Sequence, residues 1–408
     1  MLFLVSEFLL WYPIFMSIVW ITGAIIFVIR VESKLDLKLH ETPFVSILVP
    51  CYNEEKNIQE TIKQLLQQNY PNYEIIIIND GSIDRTASVV NSIMDGEPNV
   101  RFIDLKENQG KANALRLGLL ASNGDYLVCV DADALLEPTA LQYMIPHFLT
   151  KNNGRRIGAV TGNPRVRNRS SLLSKIQISE YSSVVGLIKR TQHIYGKIMT
   201  VSGVVVAFRK QAVLDCGLWD RDIITEDIAI TWRLQKHFWD IVYEPKAICW
   251  MLVPETIYGL WKQRVRWAQG GLEVMLRHWN IFSDWRQVGL YVIFIEQVLS
   301  LLWAILWGIV TILFLFKVSL NLEILHLFTI SSCLLSVTCI IQFFIGILVD
   351  SKYDSNLKRE YLWAIWYPVC YWYINVFVVF AAIWKISTKD REGFAIWESP
   401  DRGLQEKK

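Results

Sequence analysis

The sequence has little charge and few cysteines, and it has no zinc-site spacing. Charged residues make up 20% of the 408 positions, whereas soluble domains carry about 25%. The formal net charge of +2 provides no basic field for nucleic acid, so we expect no nucleic-acid partner. The seven cysteines form no CxxC pair and the six histidines form no HExxH motif. These absences argue against a disulfide framework or structural zinc and fit a reducing compartment.

Hydrophobic residues are abundant instead: they make up 52% of the chain, which excludes a disordered protein. Residues 8–29 are almost uncharged and about long enough to cross ~30 Å of hydrocarbon as a helix. The run lacks the basic start of a signal peptide, so we interpret it as a retained transmembrane helix. Three further runs, at residues 288–316, 324–349 and 361–384, predict three transmembrane or partly re-entrant segments.

Basic residues predict the orientation of the first span. Arg30, Lys34 and Lys38 follow it and no Lys or Arg precedes it, which places residues 31–250 in the cytoplasm by the positive-inside rule. Three later spans would leave the basic tail, residues 385–408, outside. Two alternatives follow: either one late segment is re-entrant or interfacial, or the tail breaks the rule.

Residues 31–250 predict an α/β domain with a parallel sheet. Short β-rich runs alternate there with helical stretches, a pattern typical of βαβ units. The clearest runs are Val45–Val49, Glu74–Ile78, Val100–Asp104 and Asp125–Val130, and a helical stretch is predicted from Glu55. Polar clusters follow three of these runs. Because ligands in open α/β sheets bind beyond the carboxyl ends of strands, we expect a site at that edge.

The sharpest polar cluster is Asp131 and Asp133, directly after the last of these strands. Two carboxylates at this spacing repel each other unless a cation lies near them. Their oxygens suit Mg²⁺ or Mn²⁺, which commonly also binds a diphosphate. The alternative is a solvated loop. Asp80 is either a nucleotide ligand or a turn residue, and a helix near the phosphates is predicted to begin at Lys111.

Two later motifs carry acids, arginines and a tryptophan. Glu226 and Asp227 begin a predicted helix, where acids favour the helix dipole; a carboxylate fixed there can also act as a general base toward a sugar hydroxyl. The predicted interfacial amphipathic helices, residues 251–287, contain Gln263, Arg264, Arg266 and Trp267. These arginines would bind either a diphosphate or lipid phosphates; in the first case the tryptophan would be a platform for a sugar ring.

The motifs VPCYNEE, NDGS, DAD, TED and QRVRW occur in this order between membrane spans. Together they resemble the family 2 processive glycosyltransferases, which include the cellulose, chitin and hyaluronan synthases. The stretches ICWMLVPETIYGLWKQRVRWAQGG, TGNPRVRN and WESPDRG look most like the members that make β-1,6-linked poly-N-acetylglucosamine, a biofilm exopolysaccharide. The likeness covers essentially the whole chain.

The resemblance implies a GT-A (Rossmann-like) domain between transmembrane helices of the cell membrane, with UDP-N-acetylglucosamine as donor and Mg²⁺ (or Mn²⁺) as cofactor. It implies an inverting transfer. Carried over by motif, the implied roles are uridine binding for Tyr52, Glu54 and Asp80; metal and diphosphate binding for Asp131 and Asp133; general base for Asp227 beside Glu226; diphosphate and acceptor binding for Gln263, Arg264, Arg266 and Trp267; and a lid over the nucleotide for Trp397 and Arg402.

The implied partners are the UDP-sugar, the growing polysaccharide, the lipid bilayer and a small membrane accessory subunit. Other readings remain: another family 2 synthase, of chitin, hyaluronan or cellulose type, or a transferase that adds a single sugar to a lipid carrier. A non-catalytic membrane scaffold is the reading from another class. Only the resemblance selects the sugar and its linkage.

Overall fold

A computed structural model describes residues 2–33, 39–150, 154–317, 322–388 and residue 395. Eight strands form one mixed sheet. They are β1 (Val45–Cys51), β2 (Tyr73–Asp80), β3 (Val100–Leu105), β4 (Tyr126–Val130), β5 (Leu135–Leu136), β6 (Ile157–Val166), β7 (Val205–Arg209) and β8 (Asp240–Met251). Their order is β3-β2-β1-β4-β7-β6-β8-β5.

The first four of the long strands are parallel neighbours, as the alternating pattern predicts. β1 and β2 are buried along their whole lengths, because helices cover both faces of the sheet. β7 then runs antiparallel to both β4 and β6, while β6 pairs with β8 in parallel. The predicted α/β class of the domain is confirmed.

Nine helices of the described chain belong to this domain: α2 (Ile58–Leu65), α3 (Thr86–Met94), α4 (Lys111–Ala121), α5 (Ala140–Met144), α6 (Pro146–Leu149), α7 (Leu172–Glu180), α8 (Ile188–Tyr195), α9 (Lys210–Asp215) and α10 (Glu226–Lys236). A π-helical segment, Tyr181–Leu187, joins α7 to α8 without a break. α2 begins three residues later than the predicted Glu55, because the carbonyl of Glu54 closes a turn with the amides of Asn57 and Ile58.

The remaining helices are α1 (Leu2–Phe27), α11 (Ile257–His278), α12 (Val288–Lys317), α13 (Leu322–Asp350), α14 (Leu357–Glu360) and α15 (Trp372–Thr388). By length and composition, three helical stretches of the described chain could cross a membrane: Leu4–Glu32, Trp285–Phe314 and Thr329–Asp350. The fourth predicted run, residues 361–384, is divided. It begins with a 3₁₀ turn and a π turn that contains Pro368, and only the 17-residue α15 follows.

One residue of the tail bears on which side of a membrane the tail lies. The amide of Ala395 donates a hydrogen bond of 2.9 Å to the carbonyl of Arg221, in the α/β domain. Ala395 also packs closely on Gly110. This contact places Ala395 beside the domain, and it favours the alternative in which one late apolar segment does not cross.

A group of buried charges, which we call the Arg190 cluster, joins the domain to the ends of two long helices. Arg190 contacts Asp350 at 2.8 Å and Glu32 at 3.2 Å, and Asp350 also contacts Arg165 at 2.9 Å. Lys352 adds a second cation to Glu32, at 2.8 Å. Arg190 and Asp350 are fully buried, so each charge depends on its partners rather than on water.

Asp350→Ala should destabilise the fold strongly, because it leaves Arg190 and Arg165 short of negative charge inside the protein. Removing one partner of a buried ion pair costs about 3–5 kcal/mol. The thermal midpoint of the protein in lipid nanodiscs should therefore fall clearly. Arg85→Ala is the matched control, because Arg85 pairs with Glu55 on the surface and is 84% exposed. Equal midpoints for the two variants would contradict the prediction.

Candidate active site

A cavity of about 270 Å³ opens beyond the carboxyl ends of β4 and β8. Among the residues that line it are eight of those predicted from the sequence: Lys111, Asp131, Asp133, Glu226, Asp227, Gln263, Arg266 and Trp267. The acids of DAD and TED, far apart along the chain, thus face one shared space.

The strand ends account for this convergence. β4 ends at Val130 in the middle of the sheet, so Asp131 and Asp133 follow at its carboxyl edge. Their loop is held by α2, where the hydroxyl of Thr61 donates to the carbonyl of Ala132 at 2.8 Å. The two carboxylates therefore sit on a fixed turn.

Lys111 connects the two acidic motifs. Its ammonium group lies 2.6 Å from Asp131 and 2.9 Å from Glu226, and it donates to the carbonyl of Gly203 at 3.3 Å. Burial opposes the charge, but the carboxylates of Asp131 and Glu226 raise the pKa of Lys111 above its ordinary value. The lysine therefore stays protonated, a fixed cation beside the predicted diphosphate site. Glu226 positions this cation.

Asp80 is held by backbone amides of the loop before α4. Both oxygens accept backbone hydrogen bonds, from the amides of Gln109 at 2.9 Å and Gly110 at 2.8 Å. The carboxylate is fully buried, and burial raises its pKa although the amides oppose the rise. Asp80 thus holds the loop that leads to Lys111. Like Tyr52, which the predicted uridine site also includes, it is not among the residues that line the cavity.

The other residue of that predicted uridine site, Glu54, is buried and accepts a hydrogen bond from Asn57. Its backbone amide donates to Thr86 at 2.8 Å, and the amide of Asn53 donates to Ser82 at 2.9 Å. These bonds join the loops after β1 and β2 at the same sheet edge as the cavity. Nucleotide binding by Tyr52, Glu54 and Asp80 stays a prediction.

Asp227 lies in the first turn of α10, against the cavity. Its Oδ1 accepts the amide of Ile228 at 2.9 Å. Gly203 lies close to the other carboxylate oxygen: a Cβ there would lie 3.1 Å from Oδ2 of Asp227. A glycine at this position therefore leaves the carboxylate accessible.

The pKa of Asp227 lies well above that of an ordinary aspartate. Burial raises its pKa to about 6, and the neighbouring carboxylate of Glu226 adds to the rise. The cations of Lys111 and Arg266 act in the opposite direction. Asp227 is thus a carboxylate with a pKa suited to exchange of a proton near physiological pH.

The QRVRW motif lies on α11, and its residues divide between two faces. Gln263, Arg266 and Trp267 line the cavity, as residues three and four apart on a helix share one face. Arg264 points elsewhere and does not line it: its guanidinium pairs with the buried Glu180 at 2.6 Å and lies 4.5 Å from the ring centre of Trp267. Arg264 thus packs against Trp267 outside the cavity lining, and diphosphate binding by Arg264 stays a prediction.

The donor set fits a divalent cation. Asp131 and Asp133 both line the cavity and offer hard carboxylate oxygens, which Mg²⁺ and Mn²⁺ prefer. Within the described residues no group of three or more His, Cys, Asp or Glu could hold a metal ion. Two carboxylates are a partial set, of the kind that a substrate diphosphate and water complete.

Two predicted residues, Trp397 and Arg402, lie outside the described part of the chain. Ala395, two residues before Trp397, packs with its carbonyl on Gly110, whose φ of +88° suits glycine. The loop before Lys111 is thus in contact with the tail. A lid formed by Trp397 and Arg402 stays a prediction.

Sequence reasoning missed one wall of the cavity. Tyr181, Val185 and Lys189 line it from the π-helical segment and α8. Two features of the sequence indicate this wall. The three residues are spaced four apart, as on one face of a helix, and a lysine directly follows the apolar run VVGLI.

Comparisons with known proteins agree with this geometry. The family model described as "Glycosyltransferase like family 2" matches residues 42–270. The chain belongs to the family 2 glycosyltransferases. Two curated relatives are named poly-beta-1,6-N-acetyl-D-glucosamine synthase. The one from Staphylococcus epidermidis is 43% identical over 414 residues, covering 98% of both chains. The one from Staphylococcus aureus is 43% identical over 412 residues, covering 97% of this chain and 98% of the relative.

A solved structure shows the same fold as this glycosyltransferase. It is a mannosyltransferase from Pyrobaculum calidifontis in complex with GDP-Man and Mn²⁺. The TM-score is 0.58 with 16% sequence identity, and the match covers 94% of this chain and 99% of the other. This match confirms the predicted GT-A fold, and the family model with the curated relatives confirms the predicted glycosyltransferase activity.

Proposed function

We propose that this family 2 glycosyltransferase polymerises N-acetylglucosamine from UDP-N-acetylglucosamine into a β-1,6-linked chain and passes the polymer across a membrane. The observation that carries the proposal is the single cavity shared by Asp131, Asp133, Asp227 and Trp267. The identity of 43% over nearly the whole length of two synthases of this polymer selects the sugar and the linkage.

The donor half of the site lies at Lys111, Asp131 and Asp133. The two carboxylates would hold Mg²⁺ or Mn²⁺, and the bound cation would offset the negative charge of the leaving diphosphate. Lys111, fixed by Asp131 and Glu226, supplies a second positive charge from the protein itself. The Mn²⁺ and GDP-Man in the mannosyltransferase complex support a nucleotide-sugar donor with a divalent cation.

The acceptor half lies at Gln263, Arg266 and Trp267. The ring of Trp267, supported by Arg264, provides a rigid platform for the terminal sugar of the growing chain. Oε1 of Gln263 is buried and has no hydrogen-bond partner in the described chain, so it can accept a sugar hydroxyl. Asp227 removes the proton from the attacking acceptor hydroxyl, which reaches the anomeric carbon from the face opposite the diphosphate.

The proposed placement is a multi-pass protein whose catalytic domain is cytoplasmic. Three long apolar helices and the contact between Ala395 and Arg221 support an odd number of crossings, with the tail on the side of the domain. The basic residues after the first span support the cytoplasmic side. A small membrane accessory subunit, implied by the family resemblance, belongs to the same proposal.

The deciding experiment supplies radiolabelled UDP-N-acetylglucosamine and Mg²⁺ to the full-length protein in lipid nanodiscs. We expect a ladder of long glycans that hydrolases specific for β-1,6-linked N-acetylglucosamine degrade. One labelled lipid would support the single-addition transferase instead. A ladder that resists these enzymes, or one obtained only with another UDP-sugar, would support another synthase of the family.

The rate of polymer formation should fall as the pH falls through about 6. Asp227 must be ionised to accept a proton, and burial raises its pKa to about 6, so acid removes the reactive form. Initial rates from about pH 5 to about pH 8 measure this, with UDP-N-acetylglucosamine binding followed at each pH as the control. A rate that is constant across this range would contradict the role of Asp227.

A further inference from the structure

Lys189 is a buried lysine in the wall of the cavity, and the proposed mechanism gives this residue no role. Only 6% of its surface is exposed. Its ammonium nitrogen donates to the hydroxyl of Thr161 at 3.1 Å, and the same hydroxyl accepts the amide of Ser202 at 2.9 Å. This shared bond anchors Lys189 to β6 and to the loop that passes Asp227.

Lys189 carries N–H donors that its hydrogen bond to Thr161 does not use. A lysine side chain carries three N–H donors when protonated and two when neutral, and Thr161 accepts one of them. Burial lowers the pKa of Lys189 to about 7, although the carboxylate of Asp227 opposes the fall. At least one N–H remains for a ligand in either protonation state.

The position of Lys189 within the cavity points to the acceptor rather than to the donor. Tyr181 and Val185, eight and four residues earlier on the same helical face, pack in one apolar cluster with Trp267. On the donor side, Lys111 already provides a positive charge between Asp131 and Glu226. Lys189 interacts electrostatically with Asp227, at the junction of the two halves.

We propose that Lys189 binds the terminal sugar of the acceptor chain, donating a hydrogen bond to a hydroxyl or carbonyl oxygen beside the hydroxyl that Asp227 deprotonates. The inference rests on the proposed function. Lys189 thereby fixes the orientation of the acceptor, on which transfer to one hydroxyl rather than another depends.

The test compares Lys189→Met with the wild type in lipid nanodiscs. Met keeps most of the length of the side chain and removes every donor. Three quantities are measured: UDP-N-acetylglucosamine affinity by calorimetry, total UDP release, and label incorporated into polymer with a β-1,6-linked N-acetylglucosamine oligosaccharide present. Lys197→Met is the matched control, since Lys197 lies outside the cavity and contacts Asp240 at 3.8 Å.

In Lys189→Met we expect the rate of sugar incorporation to fall about 10- to 100-fold, the effect of a lost hydrogen bond to a charged or polar group, and UDP release to fall with it because each transfer releases one UDP. Donor affinity should stay within about twofold of wild type, since binding of the donor alone uses none of these contacts. Lys197→Met should match the wild type in both.

Two results would overturn the assignment of Lys189. An unchanged rate of incorporation shows that it does not bind the acceptor, and a parallel loss of donor affinity places it on the donor side. If Lys189→Met does not fold, Lys189→Gln, which keeps an N–H donor, is measured in the same way and should show a smaller fall in the rate of incorporation. A wild-type protein that makes no polymer overturns the proposed function and this inference together, whereas a variant equal to a polymerising wild type overturns this inference only.

Discussion

Asp227→Asn should bind UDP-N-acetylglucosamine like the wild type and form polymer about 10²- to 10⁴-fold more slowly, the usual contribution of a general base. The amide keeps the size of the side chain but cannot accept the proton of the acceptor hydroxyl. Donor binding survives because the contacts proposed for the diphosphate lie at Lys111 and Asp131. Label incorporated into polymer and calorimetry with UDP-N-acetylglucosamine measure the two effects separately.

Asp125→Asn provides the matched control for this variant. Asp125 precedes β4, is exposed and does not line the cavity, so the same chemical change there should leave both rate and affinity at wild-type values. Normal polymer formation by Asp227→Asn would remove Asp227 from the mechanism. Loss of donor affinity in that variant would show instead that Asp227 belongs to the donor site.

Chelation of divalent cations should stop synthesis altogether. Asp131 and Asp133 repel each other and the donor diphosphate unless a cation lies between them, and the single charge of Lys111, 2.6 Å from Asp131, does not balance two carboxylates and a diphosphate. EDTA should therefore abolish polymer formation by the purified protein. Added Mg²⁺ or Mn²⁺ should restore it, as the label incorporated into polymer will show.

The cation requirement can be assigned to these residues with a variant. Asp133→Asn should need a higher Mg²⁺ concentration for half-maximal rate, because it removes one of two charged ligands. Asp125→Asn should keep the wild-type requirement. Full activity in EDTA, or an unchanged Mg²⁺ dependence in Asp133→Asn, would defeat the metal role of the pair.

Local patterns were enough to predict the parallel half of the sheet. Three of the four strands, β1, β2 and β4, are buried along their whole lengths, so their hydrophobicity is continuous and easy to recognise in the sequence. Because the carboxyl ends of such strands share one edge, the grouping of Asp131 and Asp133 with the loops after β1 and β2 could be inferred as well.

The parts that were not predicted depend on contacts between distant segments. β7 pairs antiparallel with β4 and β6, and nothing in its five residues specifies those partners. Arg264 and Arg266 are two residues apart in one motif and therefore lie on different faces of α11. Arg264 pairs with Glu180, whereas Arg266 lines the cavity. Lys189 was missed because its role depends on Thr161 and Asp227, which only the folded chain brings near.

The Arg190 cluster constrains the order in which the chain is assembled as it is synthesised. Glu32 leaves the ribosome before Arg190, so that arginine can meet one acid early, whereas Asp350 emerges only after the third long apolar helix has been made. Until then Arg165 lacks its buried acidic partner, and an unpaired charge resists burial. The helix that carries Lys189 beside Arg190 therefore lacks one of its buried charge partners until Asp350 has been synthesised.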